Sequence, residues 1–414
     1  MKHKNRLCFA PFKNMYFGID GSVSSCYAES FVVNYGKYPE NSIQQLWHSD
    51  TANKIRALVK NKHLPPACNL CYTQVLEKNY EVSYANVYDQ HKANPDFPVS
   101  MEFYLDNTCN LECIMCSPEN SSLIAKQKNI PGHGNPYDAN FISELKQYIP
   151  HLKHTFFFGG EPFLIPVYYD IWHDINEINP GCQIDVTTNG TILNQKVKKA
   201  LHNGNFNINV SIDSLQKERF EYIRKNAMFE NVMDNLYYFY DYCNTNHNKF
   251  FMSFCPMQQN WDEIPEMLKF ANKLNAGLVY NRVWNPSSCA IWSLEPNKLL
   301  EIHQYLDGFS FSVGSDIQKF NIEGYNTLKN QVEMWYKTAL EFANNFPDIT
   351  EQIVFDFLDK ELKACHQLNK NNLLSGIKHE KQLLTKIKLI HSQIKEDDLS
   401  LQERKTFFYN MHMQ

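Results

Sequence analysis

Apolar and polar positions follow three successive patterns along this chain. Near the amino terminus, residues 15–19 and 22–27 read as two short strands, and Asp20-Gly21 between them is a turn dipeptide that predicts a hairpin. Over residues 42–62 the apolar positions Ile43, Leu46, Trp47, Ile55, Leu58 and Val59 share one side of a helix, with Asn41 or Ser42 as its N-cap and Pro65-Pro66 as its stop. A polar, Pro-containing connection over residues 90–98 follows, and the pattern then changes. Six apolar runs, at 101–106, 155–158, 183–187, 207–212, 250–255 and 277–283, alternate with helical stretches. That alternation predicts an α/β fold in which a parallel sheet with right-handed crossovers curls into a partial (β/α)6 TIM-like barrel. Beyond Phe311 the period becomes helical again, at 326–345, 349–368 and 378–395, and these amphipathic helices are expected to pack on the barrel or on a partner. The expected organisation is a small α+β domain over 1–90, a barrel over 98–310 and a helical extension over 311–414.

Composition narrows the function classes. A hydrophobic content of 43% supports a globular core, and a net charge of -5 with no basic stripe excludes bulk attraction to nucleic acid or an anionic membrane. The apolar patch at residues 7–12 is too brief for a secretory leader, and no run of about 18 apolar residues is present to cross a bilayer. The expectation is a cytoplasmic protein, in which twelve cysteines serve metals or chemistry rather than disulfides.

The most specific signal is Cys109-Asn110-Leu111-Glu112-Cys113-Ile114-Met115-Cys116, which supplies three thiolates where a metal usually takes four. Such a loop can wrap one corner of a [4Fe-4S] cube and leave one iron open. A zinc knuckle with His133 as fourth ligand is the alternative. A second set, Cys8, Cys26, Cys68 and Cys71, is complete in itself and suits either a fully ligated [4Fe-4S] cluster or a four-cysteine zinc site, the hairpin bringing Cys8 close to Cys26. Function in barrels of this kind sits at the carboxyl ends of the strands, and the remaining motifs all fall there. The second barrel strand ends in Phe158-Gly159-Gly160-Glu161-Pro162, where glycines permit close backbone approach and a carboxylate can accept from an ammonium group, although an ordinary strand-to-loop turn has the same composition. The third ends in Thr187-Thr188-Asn189-Gly190, itself a turn sequence. The fourth ends in Val210-Ser211-Ile212-Asp213-Ser214, followed by Ile223-Arg224, whose guanidinium could pair a carboxylate or sit solvated on a helix. Cys255 closes the fifth strand, either as a thiol facing substrate or as a small core residue, while Cys182, Cys243, Cys289 and Cys365 lack ligand spacing and are expected to be structural.

Taken together, the Cys-x3-Cys-x2-Cys loop, Gly-Gly-Glu, Thr-x-Asn-Gly and the Ser-x-Asp with Ile-Arg pair resemble the radical S-adenosylmethionine superfamily. The amino-terminal cysteine spacing resembles the twitch domain, a shortened form of the SPASM auxiliary-cluster domain, which in most such enzymes follows the barrel rather than preceding it. The resemblance implies S-adenosyl-L-methionine chelated at the open iron of the first [4Fe-4S] cluster and cleaved by one electron to a 5'-deoxyadenosyl radical, which takes hydrogen from a substrate C-H bond. It also implies a second, auxiliary [4Fe-4S] cluster on Cys8, Cys26, Cys68 and Cys71 that assists oxidation or cross-linking. Gly159, Gly160 and Glu161 would hold the methionyl amino group, Asn189 would lie near the cofactor, and Ser211 and Arg224 would contact its ribose and carboxylate. The implied partners are an electron donor such as flavodoxin or ferredoxin and a peptide or small-molecule substrate, peptide modification being favoured. Two other readings remain: a redox-neutral epimerase with Cys255 as hydrogen donor, and a zinc-stabilised binding scaffold without catalysis. No motif identifies a catalytic side chain.

Overall fold

In a computed structural model, the residues described are 8–27, 34–61, 63, 68, 71, 84–132 and 134–345. His133, Cys365, the Pro65-Pro66 stop and the helices expected at 349–368 and 378–395 lie outside them. Nine strands form one sheet: β1 (Asn14–Phe17), β2 (Ser22–Ser24), β3 (Gly36–Lys37), β4 (Ser100–Phe103), β5 (His154–Phe157), β6 (Gln183–Thr188), β7 (Phe206–Ser211), β8 (Phe250–Phe254) and β9 (Gly277–Tyr280). Their spatial order is β3-β2-β1-β4-β5-β6-β7-β8-β9. From β4 to β9 every neighbour is parallel and follows in chain order, with helices between, which is the six-unit partial barrel. β4, β8 and β9 end earlier than the apolar runs that predict them, β5 and β7 match theirs in length with a shift of one residue, and β6 is one residue longer.

The amino-terminal hairpin is part of this sheet. β1 pairs with β2 antiparallel, Tyr16 opposite Ser24, and with β4 in parallel, Asn14 opposite Ser100 and Phe17 opposite Phe103. Its turn spans Gly18 to Gly21 rather than two residues, closed by Gly18 N donating to Ser22 O and Gly21 N to Gly18 O. Gly21 has φ +81°, and a Cβ there would lie 2.3 Å from the carbonyl oxygen of Tyr38, so only glycine fits.

The expected helix over 42–62 is two helices, Ile43–Trp47 and Asp50–Lys60. Ser42 caps the first in a reciprocal capping box with Gln45, as the sequence suggests. The break arises at Ser49, whose hydroxyl accepts from Ala52 N and starts a second helix on a new axis. Trp47 and Ile55 are buried as expected, whereas Leu58 is 38% exposed.

Strand alternation gives the sheet two unlike faces. Met15, Phe17, Met101, Phe103, Phe157, Ile184, Val186, Phe206, Ile208, Val210, Met252 and Phe254 form the apolar face, and all are fully or almost fully buried. Phe17, Phe103 and Phe157 stack in succession across β1, β4 and β5 at 5.7 and 4.9 Å between centroids. The helix Pro166–Ile178 covers this face through Trp172, which meets Phe157 and Phe206 edge-on, both at 5.4 Å. The opposite, inner face is polar. Register aligns Tyr16, Glu102, Phe156, Asp185 and Asn207 in one row, and Thr187 and Asn209 in the next. Asn209 exchanges hydrogen bonds with Ser253 at 2.8 and 3.0 Å, so hydroxyls and amides line the interior.

Contacts divide the chain into two compact units, Met1–Cys255 with Glu263–Asn281 and Ser312–Gly324, and Pro256–Asp262 with Arg282–Phe311 and Tyr325–Gln414. Within the second, Gln258 donates its amide to the carbonyls of Ser287 and Ala290, and Lys329 pairs with Asp307 at 2.7 Å. The helix expected over 326–345 begins earlier and runs Asp316–Asn345.

Trp172 is the test of how the helical layer is held. It is 1% exposed among Phe157, Phe163, Tyr169 and Phe206. Trp172→Ala is expected to lower unfolding free energy by about 3–5 kcal/mol, read as a lower urea midpoint with an unchanged slope.

Candidate metal and cofactor site

All six parallel strands point the same way, so the loops after β4, β5, β6 and β7 meet at one edge of the sheet. The cysteine loop follows β4 and is pinned from both sides. On one side Cys109 N donates to Ser122 Oγ, Ser122 N to Asn107 O, and Ser121 Oγ to Leu111 O, so the start of the helix Ser122–Gln127 grips residues 107–111. On the other, Glu112 N donates to Lys225 O and Ile114 N to Ile223 O. The Glu112 carboxylate adds bonds from Lys225 Nζ and Asn226 Nδ2, both at 2.9 Å. Arg224 is thereby fixed between the two backbone clamps.

The Arg224 side chain is turned away from water, 7% exposed, and its Nη2 lies 2.7 Å from Asp213 Oδ2, a carboxylate with no exposure at all. Asp213 Oδ1 accepts from Cys255 N at 2.7 Å, which ties the ends of β7 and β8 together. Burial alone would pull the guanidinium down, but Asp213, Cys113 and Cys255 offset it and raise its pKa, so it is a permanent cation. Burial pushes the Cys113 thiol up to about 12, Cys116 up to about 11 and Cys109 upward as well, while the charge on Arg224 draws all three back. A metal bound at these thiols would supply positive charge that favours the thiolates further.

Gly159, Gly160 and Glu161 press directly on the strand that feeds the cysteine loop. Gly159 has φ +114°, and a Cβ on it would lie 2.4 Å from Asp106 O; one on Gly160 would lie 2.3 Å from Thr108 O and 2.4 Å from Asn107 O. Neither position tolerates a side chain. Glu161 is fully buried, and its carboxylate accepts from Phe163 N at 3.1 Å, Thr188 Oγ1 at 2.8 Å and Asn189 N at 2.7 Å. Burial raises it to about 7 against the pull of those three bonds. In this geometry the carboxylate clasps the loop after β5 to the loop after β6. Asn189 then reaches the cysteine loop, its Nδ2 3.0 Å from Asn110 Oδ1 and 4.0 Å from Cys109 Sγ, while Asn110 Nδ2 donates to Thr191 Oγ1.

Direct contacts thus link Cys109, Gly159, Gly160, Glu161 and Asn189, while Cys113, Cys116 and Arg224 lie on the segments that the backbone clamps bring to the same loop. Ser211, the last residue of β7, is partly exposed opposite Ser253, placed by strand register alone. Asp213 is the participant to which sequence reasoning attached no role, although it stands in the Ser-x-Asp motif. Cys255 lies beside Asp213 and Arg224, and burial raises its thiol well above the ordinary range. The fit to a cluster and its ligand rests on this chain's own atoms. Among them is Arg224 Nε, buried and without an acceptor among the described residues, a donor available to an anionic group.

At the other cysteine set, Cys26 is buried with Ala10 and Tyr88, Cys71 with Ala85, and Cys8 packs against both groups. Cys68 is partly exposed. Cys8 thus links the group that holds Cys26 to the group that holds Cys71, and among the described residues no three Cys, His, Asp or Glu side chains are drawn together around a single metal ion.

Comparison with known proteins identifies two domains. The radical SAM superfamily profile matches residues 104–271, and that of an iron-sulfur cluster-binding domain, SPASM, matches residues 8–72. Among curated relatives, the chain is 27% identical over 140 residues to a probable GTP 3',8-cyclase of Methanocella arvoryzae, covering 33% of this chain and 42% of that one. It is also 27% identical over 176 residues to the GTP 3',8-cyclase of Clostridium perfringens, covering 41% and 50%. The match thus spans half or less of those relatives' length. Solved structures with some likeness include anSMEcpe with bound AdoMet, TM-score 0.38 at 17% identity over 50% of this chain and 59% of that one. Another is SuiB of Streptococcus suis bound to precursor peptide SuiA, TM-score 0.38 at 13% identity over 63% and 64%. The superfamily domain implies S-adenosylmethionine with a [4Fe-4S] cluster, and the SPASM domain implies auxiliary iron-sulfur. The chain carries a radical SAM superfamily domain over residues 104–271, preceded by an iron-sulfur cluster-binding domain over residues 8–72.

Proposed function

We propose that this protein is a radical SAM enzyme in which Cys109, Cys113 and Cys116 hold a [4Fe-4S] cluster with one open iron, and S-adenosylmethionine lies against Gly159, Gly160, Asn189, Ser211 and Arg224. The observation that carries the reading is the convergence on one strand edge of three thiols, a glycine pair flush with the cysteine loop and a buried guanidinium with a spare donor. When bound, the cluster and cofactor supply a carbon-centred 5'-deoxyadenosyl radical that takes hydrogen from a substrate C-H bond.

The chain's residues then have separable tasks. Arg224, held by Asp213, offers Nε to the cofactor's carboxylate. The Gly159–Gly160 backbone offers carbonyl acceptors to its ammonium group. Glu161 acts mainly by fixing that backbone and Asn189, since both of its oxygens already accept from the protein.

Cys8, Cys26, Cys68 and Cys71 form the second site, proposed as an auxiliary [4Fe-4S] cluster assisting oxidation or cross-linking, with electrons delivered by a flavodoxin or ferredoxin. A peptide is the substrate class proposed first, set against a polar inner face on which Thr187, Asn209 and Ser211 are partly exposed. The partial sequence likeness to GTP 3',8-cyclases makes a nucleotide the second substrate class to test.

Three outcomes are expected. With reductant and S-adenosylmethionine, the reconstituted protein forms 5'-deoxyadenosine by chromatography, and Cys113→Ala abolishes it while keeping the irons of the second site. A product mass shift with GTP but none with peptide libraries would overturn the peptide assignment. Gly160→Ala, which drives a Cβ into two carbonyls, lowers 5'-deoxyadenosine yield at least tenfold. In the protein without cofactor, Glu161 is raised from 4.5 to about 7, so its contribution to stability is full below pH 4.5 and is lost as pH rises through 7. Glu161→Gln is therefore expected to flatten the pH dependence of the urea midpoint between pH 5 and 8, by on the order of 3 kcal/mol in unfolding free energy.

A further inference from the structure

One buried carboxylate belongs to neither set of site residues. Glu102 lies on the inner face of β4 with no exposure to solvent. Its Oε1 accepts from Asn14 Nδ2 at 2.9 Å and, in a very short bond, from the Tyr88 hydroxyl; its Oε2 accepts from Tyr27 N at 3.0 Å. These partners surround Cys26. Asn14 Nδ2 also donates to Ser25 O at 2.9 Å, and Ser24 Oγ donates to Cys26 O at 2.9 Å, so the backbone is held before, at and after that cysteine. The Tyr88 ring packs against Cys26 and Ala10, with Cys8 against the same group, and Lys13 Nζ donates to Tyr88 O at 2.6 Å. Asn14 is itself oriented by Ser100 Oγ, which donates to its Oδ1 at 2.8 Å. Asn14, Tyr27 and Tyr88 thus all donate to Glu102, tying β1, β4 and the segment around Cys26 together.

The turn that Glu102 holds also touches the first site. Tyr27 meets Phe158 edge-on at 5.7 Å, and Phe158 precedes Gly159-Gly160 and lies 6.2 Å from the ring of Tyr104. A barrel-strand carboxylate therefore governs a segment whose two ends are a ligand of one site and a wall of the other.

We propose that Glu102 is the positioning residue of the amino-terminal metal site, holding the Ser25–Tyr27 turn so that Cys26 is set for the metal. This rests on the reading of Cys8, Cys26, Cys68 and Cys71 as an iron-sulfur site. A carboxylate that served only to pack the sheet would affect stability when replaced, whereas one that positions a ligand also changes the cluster's spectrum and potential.

The experiment is an EPR-monitored redox titration with metal analysis of the reconstituted full chain as wild type, Glu102→Gln and Glu102→Ala. In Glu102→Gln the iron content is expected to stay at the wild-type level, while the auxiliary signal changes shape and its midpoint shifts, because the turn that carries Cys26 is held by a different set of hydrogen bonds. The signal altered by S-adenosylmethionine stays where it was. In Glu102→Ala about half of the bound iron is expected to disappear, leaving the barrel cluster. Should Glu102→Ala fail to fold, Glu102→Gln alone decides, since it keeps the volume and one acceptor. A wild-type auxiliary signal and midpoint in Glu102→Gln would overturn the proposal. If the wild type holds zinc at this site, the iron-sulfur reading fails by itself. The positioning role then stands or falls on whether Glu102→Ala, or Glu102→Gln if that variant does not fold, loses the zinc.

Discussion

The candidate site depends on a buried ion pair. Asp213 and Arg224 are both removed from water, and stripping either charge of its hydration costs several kcal/mol that only close geometry repays. The contact at 2.7 Å and the bond from Cys255 N to the second oxygen of Asp213 supply that geometry. Its consequence is positional. Arg224 sits between the two backbone clamps of the cysteine loop, so the pair couples the ends of β7 and β8 to the loop after β4. A lysine in its place would keep a charge but lose the planar fork that bonds Asp213 and still presents Nε.

Parallel strand order turns these local contacts into a site. Each loop at the carboxyl edge touches the next: Gly160 abuts Thr108, Glu161 holds Asn189, and Asn189 reaches Asn110. The glycine pair belongs to this chain of contacts for a steric reason, because backbone meets backbone where any Cβ would collide. The inner face below is lined by hydroxyls and amides, while the apolar face is sealed by helices through Trp172 and its aromatic neighbours. The amino-terminal segment extends the same sheet, so β1 and β4 share hydrogen bonds between the two regions in which the cysteine sets lie.

Much of this was legible in the sequence, for reasons that vary by element. The six barrel strands follow from apolar runs alternating with helical ones, and the cysteine loop from spacing alone. Ser42 as an N-cap is equally local. The break after Trp47 has a visible signal in Ser49, but the apolar stripe continues across it and masks the change of axis. The pairing of β1 with β4 has no local signature, since parallel pairing joins segments remote in the chain and four residues of Asn-Met-Tyr-Phe fit an edge or an interior equally. Asp213 stood in a motif without a role because its partner comes from a later helix end. Glu102, one acid in an apolar strand, reads as ordinary alternation; its meaning lies in Asn14, Tyr27 and Tyr88, which only the folded sheet assembles.

The central claim is that three cysteines leave one iron open for S-adenosylmethionine. It is tested most directly by EPR of the anaerobically reconstituted, reduced protein with and without the cofactor, alongside iron, sulfide and zinc analysis. The account predicts about eight irons and two overlapping [4Fe-4S] signals, of which S-adenosylmethionine shifts one; Cys113→Ala removes that one. Zinc as the sole metal under conditions that preserve oxygen-sensitive clusters, or iron signals indifferent to S-adenosylmethionine, would contradict it.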